Sequence, residues 1–339
     1  MITTFSGKTA NEVWTNATKK LMYCEETTVE SRIGDMKEIL HVVFSISEPR
    51  ERWVTQRIPP ISIAYALAEL VWILVGSNES KVINFWNPIL PRYSGKSEEY
   101  PGAYGFRIRQ NFGFDQLDRA YYALKNEPNN RQTVILIWDP KKDFPNKNGE
   151  PANEDIPCNI CSLLKIRDRK LEWTQIMRSN DVFRGLPYNF IQFTCLQEIL
   201  AGWLDVDIGS YTHFCDSLHL YTSDSQNLSI TEDAGLMNLD HLTLAKDKFT
   251  DVINEIYQNM LIIAYNNISE LELYMLSELN NNEKAYCNIM LIISAYAARK
   301  LGFLDLEKEL VTKCSNTLYS HIWRKWTEYR KIKVVPKDL

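Results

Sequence analysis

The sequence predicts a mixed α/β body followed by an all-helical C-terminal region. Through the first two thirds, short β-branched runs bounded by turns alternate with stretches of helical periodicity. A long polar loop and a tight polar turn punctuate that part. After about Ser223 the apolar residues fall at helical spacing almost throughout. The chain has 339 residues, 45% hydrophobic, 12% aromatic and 24% charged, which is enough apolar mass for a sizeable core. At roughly 150 residues per domain the length suggests two domains, or one large domain with an extension. The change of texture divides the chain into 1–223 and 224–339.

Taken in order, residues 32–47 open at a glycine turn and continue into β-branched residues, giving a turn and a strand. Residues 61–75 are apolar apart from Glu69 and are shorter than the roughly 20 residues needed to span hydrocarbon, so they form a buried helix. Residues 77–104 hold a short helix and then a loop rich in Pro and Gly. Leu117, Tyr121 and Leu124 mark an amphipathic helix over 114–125, and TVILIW at 133–138 is a short buried strand. Residues 141–157 are an exposed loop that leads into PCNIC. Two apolar runs, 160–166 and 171–177, flank Arg167, Asp168, Arg169 and Lys170 and predict a hairpin. Pro187 opens a helix that runs to Gly202, a strand covers 211–221, and 223–240 is polar enough to be a linker. Helices follow over 242–302 and 304–326, broken near Asn266 and at 280–282.

Lys and Arg total 38 against 43 Asp and Glu, a net charge of -5, which gives no support to a nucleic-acid clamp. No membrane partner is expected. The first residues, MITTFSGKTANEVW, lack a basic start and an apolar core, so the expected compartment is the cytoplasm. Seven scattered cysteines (24, 158, 161, 195, 215, 287 and 314) are expected to be reduced. Cys158 and Cys161 form a CxxC, but no second ligand pair lies at suitable spacing, so no metal is expected. A single nucleophilic thiol at the end of the loop fits better.

About twenty residues later, MRSNDVFRGLPYN at 177–189 packs polar side chains into a path constrained by Gly and Pro. It reads either as a solvated turn or as a site for an anion and a polar ring. Arg178 with Ser179 offers a guanidinium fork and a hydroxyl for phosphate. Asn189 offers a donor and an acceptor for one edge of a pyrimidine.

PCN at 157–159, MRSNDVFRGLPYN at 177–189 and DSLHLY at 216–221, in that order, resemble thymidylate synthase and its pyrimidine hydroxymethylase relatives. SRIG at 31–34, AELVWILVG at 68–76, PGAYG at 101–105 and NNRQTVILIW at 129–138 extend the resemblance over about 28–223. It implies a thymidylate synthase-like mixed sheet with surrounding helices. Cys158 is then the thiolate that adds to C6 of the pyrimidine, so that C5 can attack a one-carbon unit on 5,10-methylenetetrahydrofolate. Arg178 would favour that thiolate. Arg32, Arg131, Arg178 and Ser179 would hold the phosphate, with Arg131 reaching in from the partner of a homodimer. Asn189 would read uracil, and His219 and Tyr221 would contact the ribose. Glu69 and Tyr104 would organise water and help remove the C5 proton. Asp181 would meet the pterin.

Departures from the family pattern bear on the product. Gln132 stands where a second Arg is usual. Asn159 replaces the usual His after the nucleophile, as in the hydroxymethylases, and so joins the catalytic candidates. The Trp that stacks on folate in the synthases falls near Leu90 and Pro91, leaving Trp86 and Tyr93 as the neighbouring aromatics and Tyr93 as the candidate folate contact. Without that shield, water can attack the exocyclic methylene intermediate and give a hydroxymethyl product in place of a methyl. The chain ends VVPKDL, with no evident counterpart of the family's closing tail. The expected activity is therefore folate-dependent C5 methyl or hydroxymethyl transfer to a pyrimidine nucleoside monophosphate, uridylate favoured. The competing expectation is a nucleotide-binding regulatory protein of the same fold that has lost folate chemistry.

Overall fold

The computed structural model describes residues 2–23, 28–31, 34–280 and 283–334. Its centre is a mixed sheet in the spatial order Thr3–Gly7, Met36–Ile46, Asp207–Tyr221, Lys170–Met177, Asn159–Arg167, Val134–Leu136. Two-residue strands, Thr28–Val29 and Asn180–Asp181, flank Met36–Ile46 and Asp207–Tyr221 respectively. The outer pair Thr3–Gly7 and Met36–Ile46 is parallel, as is the central pair Lys170–Met177 and Asp207–Tyr221. The remaining long pairings are antiparallel.

The expected hairpin joins Asn159–Arg167 to Lys170–Met177 through a two-residue loop in which Asp168 and Arg169 both have positive φ, 49° and 57°. That geometry matches the right-handed twist of the flanking strands. Burial alternates along both strands because one face meets helices. Ala10–Tyr23 and Leu186–Leu204 cover that face, with Phe44 edge-on to Phe190 at 5.5 Å. On the opposite face Val43, Leu163, Ile176 and Phe214 are only half-buried, and Leu40 is exposed. The run 133–138, expected to be buried, forms only the edge strand Val134–Leu136. Ile135 points into the core while Val134 and Leu136 remain exposed, since nothing covers the outer face.

Ile63–Leu74 is the expected buried helix, started after Pro59 and Pro60 by Ser62, whose hydroxyl accepts from Tyr65 N. Five helices follow the sheet: Lys246–Tyr265, Glu270–Ser277, Lys284–Leu301, Leu304–Lys313 and Thr317–Val334. Lys246–Tyr265, Lys284–Leu301 and Thr317–Val334 pack onto Ile63–Leu74 and share its core, while Glu270–Ser277 and Leu304–Lys313 pack on the outside of Lys284–Leu301. Trp86, almost fully buried, donates its indole N–H to Ile293 O. The polar segment 223–240, expected as a linker, is tied to the body instead. Ser229 and Ile230 pair with Ile58 and Arg57, Gln56 donates to Thr231 O, and Asn238 donates to Arg50 O. Its polar side chains and backbone are the means of attachment, which composition alone cannot distinguish from solvation.

Candidate active site

Sheet topology creates the site. Lys170–Met177 and Asp207–Tyr221 run parallel and Asn159–Arg167 runs against them, so two carboxyl ends and one amino end meet at one rim. Cys158, Arg178, Ser179, Asn180, His219 and Tyr221 stand there together. Facing them are Glu69 on Ile63–Leu74 and the segment from Asn87 to Tyr104. Between the two walls lies a cleft of about 1080 Å³.

Cys158 lines the cleft and is partly exposed. Arg178 Nη2 is 3.7 Å from its Sγ, while the same guanidinium is fixed by Pro157 O and Ile156 O. Burial pushes the Cys158 thiol up from its ordinary value; Arg178 opposes this, and Asp155 and Asp181 add to it. The arginine therefore favours the thiolate without overcoming desolvation. Cys161 lies past an irregularity in the strand register and does not reach the cleft.

Glu69 accepts from Tyr65 Oη and from Gln192 Nε2, both at 2.6 Å. Burial raises its pKa to about 7 against those two hydrogen bonds. Gln192 Oε1 in turn accepts from Asn189 Nδ2 at 2.9 Å, so Glu69, Gln192 and Asn189 form one hydrogen-bonded chain. Burial, followed by the neighbouring Cys158, pushes the Tyr104 hydroxyl up, and the Asn159 amide opposes it. Asn159 is fully buried and accepts from Gln175 Nε2 at 2.9 Å.

Ser179 Oγ and His219 Nδ1 are 3.3 Å apart, and the His219 ring meets Tyr221 edge-on at 5.2 Å. Burial lowers the His219 pKa, with Asp181 opposing. Arg32 lies outside the described residues, although Ser31 lines the cleft. Arg131 is exposed and does not enter the cleft of its own chain. Asp181 stands behind the wall: its Oδ1 accepts from Phe183 N and Arg184 N, capping that turn. Its Oδ2 has no hydrogen-bond partner. Tyr93 lines the cleft and is 47% exposed, beside Ile89 and Leu90. Trp86 belongs to the core, so of the two aromatics singled out from the sequence only Tyr93 reaches the site.

The thymidylate synthase family model matches residues 39–277, which holds both walls of this cleft. The chain belongs to the thymidylate synthase family. It is 31% identical over 241 residues to the deoxyuridylate hydroxymethyltransferase of Bacillus phage SP01, covering 68% of this chain and 61% of that protein. A deoxyuridylate hydroxymethyltransferase of Pseudomonas phage M6 is 32% identical over 159 residues, 46% of this chain and 44% of the relative. The thymidylate synthase of Francisella philomiragia is 28% identical over 182 residues, 50% and 65% respectively. The chain thus spans less than two thirds of each relative's length. No helix among the described residues is long and apolar enough to cross a membrane.

Within this thymidylate synthase-family cleft stand groups that the motifs did not single out. Arg57 is buried, donates to Pro59 O and Phe183 O, and lies 4.3 Å from the Phe183 ring. Arg184 lies between the Tyr93 and Tyr221 rings, at 5.3 and 5.0 Å, and pairs with Asp224 at 2.7 Å. Tyr65 and Gln192 were findable: Tyr65 precedes Glu69 by four residues and Gln192 follows Asn189 by three, which are helical neighbour spacings.

Proposed function

We propose that this protein is a folate-dependent C5 transferase acting on a pyrimidine nucleoside monophosphate, uridylate favoured, with hydroxymethylation the preferred outcome. The observation that carries this is the convergence of Cys158, Arg178, Ser179, Asn189, His219, Glu69 and Tyr104 on one cleft from segments far apart in sequence. Arg178 and Ser179 would bind the phosphate, His219 and Tyr221 the ribose. Asn189 has one N–H committed to Gln192, and its remaining N–H and carbonyl match the C4 oxygen and N3–H of uracil.

Cys158 Sγ would add to C6, shifting electrons so that C5 attacks the one-carbon unit. Glu69 as carboxylate, with Tyr104 and water, would accept the C5 proton as the bond from the one-carbon unit to the folate nitrogen breaks and that nitrogen leaves protonated. Water adding to the freed carbon would then let the C5–C6 double bond reform as the thiolate leaves. Methylenetetrahydrofolate would supply the carbon as a cosubstrate. Ile89, Leu90 and Tyr93 give a flat apolar strip for the pterin, whereas Asp181, expected to meet it, lies behind the wall with its Oδ2 3.8 Å from Arg184 Nε and does not line the cleft. Trp86 is buried in the core and none of these three strip residues is a Trp, although Trp72 and Trp138 line the cleft elsewhere; a strip without its own indole would favour the hydroxymethyl product.

The half-buried sheet face and the exposed Arg131 beside it fit a homodimer with Arg131 crossing to the partner's cleft. Incubation with methylenetetrahydrofolate and each of dUMP, UMP, dCMP and CMP, followed by nucleotide mass analysis, tests the reaction. A hydroxymethyl gain on a uridylate is expected. No mass change and no tritium release from C5-labelled nucleotide would refute it and favour the regulatory reading. Mixing Arg131→Ala with Cys158→Ala, each inactive alone, restores activity only if Arg131 crosses.

A further inference from the structure

Beneath the nucleotide wall runs a buried polar chain that the reaction as described does not use. On the inner face of Lys170–Met177, Trp173 and Gln175 point the same way, and Gln175 is paired across the hairpin with Ser162. Trp173 Nε1 donates to Gln175 Oε1 at 3.2 Å, and Ser162 Oγ donates to the same oxygen at 2.6 Å. Gln175 Nε2 donates to Asn159 Oδ1 at 2.9 Å. Asn159, Ser162 and Gln175 are fully buried, and Trp173 almost so.

The order of donors is forced. An indole N–H can only donate, so the Gln175 atom facing it must be the carbonyl. Its amide nitrogen then faces Asn159, so the Asn159 carbonyl is the atom turned inward. What remains is Asn159 Nδ2, a buried donor with no hydrogen-bond partner by strict geometry, on the side of the Tyr104 hydroxyl. An unsatisfied buried donor is costly, so one retained beside a site demands an explanation.

We propose that Gln175, anchored by Trp173 and Ser162, is a positioning residue that locks the Asn159 amide with its N–H toward Tyr104. With a donor there, the Tyr104 oxygen accepts from Asn159 and its own proton points into the cleft. With the amide turned over, the Asn159 carbonyl would capture that proton. The lock thereby sets the hydrogen-bonding sense of the phenol that the proposed reaction employs. The effect on turnover rests on that functional reading, whereas the lock itself does not.

Gln175→Met removes the lock at nearly constant volume. In the full-length protein, nucleotide affinity should stay within about twofold while kcat falls about tenfold or more, because phosphate and base-edge contacts are untouched. Gln175→Glu should add a limb to the pH profile. Its protonated carboxyl can donate to Asn159 as Nε2 does, and its carboxylate cannot, so activity falls as that group ionises. A merely structural role predicts no such limb. The lock is read without turnover from the Asn159 side-chain amide signals in protein carrying 15N-asparagine, assigned by their loss in Asn159→Asp. These signals should move in Gln175→Met in the nucleotide-free state. Unmoved signals overturn the proposal even if the parent enzyme is active. Moved signals with an inactive parent sustain the lock and refute the functional reading instead. Should Gln175→Met fail to fold, Ser162→Ala removes only the anchoring hydroxyl that donates to Gln175 Oε1, and the same signals should move by less.

Discussion

The two walls of the cleft are built differently. On the sheet side, Cys158, Arg178, Ser179, His219 and Tyr221 stand at strand ends, and several positions there are braced from behind. Arg178 N donates to Cys158 O, three residues lie under Asn159, and His213 and Tyr211 stand behind Asn180. On the helix side, only Glu69 is braced in this way, by Tyr65 and Gln192. Beyond it Ile89 and Tyr93 are 46% and 47% exposed on short helices and loops. The proposed bond at C6 would require placement to a fraction of an ångström, which strand register can supply. A flat cosubstrate that arrives and departs needs only a surface.

The sharpest break of the braced wall is Cys158→Ala. Release of C5 tritium should fall by about 10⁴-fold, with nucleotide affinity changed only a few-fold, because among the described residues no other thiol lines the cleft. Retained turnover would remove the thiolate from the mechanism.

Glu69→Gln should cost about 10²–10³-fold in kcat. It should also erase the rise in activity that the parent shows as pH climbs through about 7, the value to which burial lifts this carboxyl. The same shift sets a sign for stability. The folded state holds this proton more tightly than the unfolded chain, so the contribution is complete below about 4.5 and is lost as pH rises through about 7. Thermal melts of the parent and Glu69→Gln should therefore diverge over that interval, the parent losing more. Parallel curves would show that Glu69 is ionised throughout.

Asn189→Asp should shift preference from uracil toward cytosine by about 10²-fold, since a carboxylate cannot donate to the C4 oxygen but can accept from the cytosine amino group. Competition between dUMP and dCMP measures it. Tyr93→Ala, on the open wall, should raise KM for the folate about three- to tenfold and leave nucleotide affinity unchanged. An equal loss for both ligands would mean that the walls are one unit.

Motifs made the front of the nucleotide wall readable because its chemistry fixes residue types in sequence order: PCN, MRSND and DSLHLY each sit at a strand end. The bracing behind it was not readable. Ser162, Trp173 and Gln175 are polar or bulky residues in strands that alternate, and which face turns inward depends on the register with Asp207–Tyr221, a pairing across dozens of residues. The role proposed for Arg131 comes only through family resemblance, since in its own chain it does not line the cleft. The 223–240 segment misled because Gln56, Arg50 and Ile58, to which it is bonded, lie far upstream.

The guanidinium of Arg184 sits between a ring from each wall, Tyr93 and Tyr221, with Asp224 alongside. Its charge does not titrate in the working range, unlike the carboxyl of Glu69 elsewhere in the cleft. The aperture of the cleft is therefore indifferent to acidity while the chemistry inside is not. Its natural antagonist is dissolved salt, which screens the partly exposed Arg184–Asp224 pair. A pH titration and a salt titration of the same enzyme thus address different objects: the first the proton inventory at the reacting carbon, the second the width of the door.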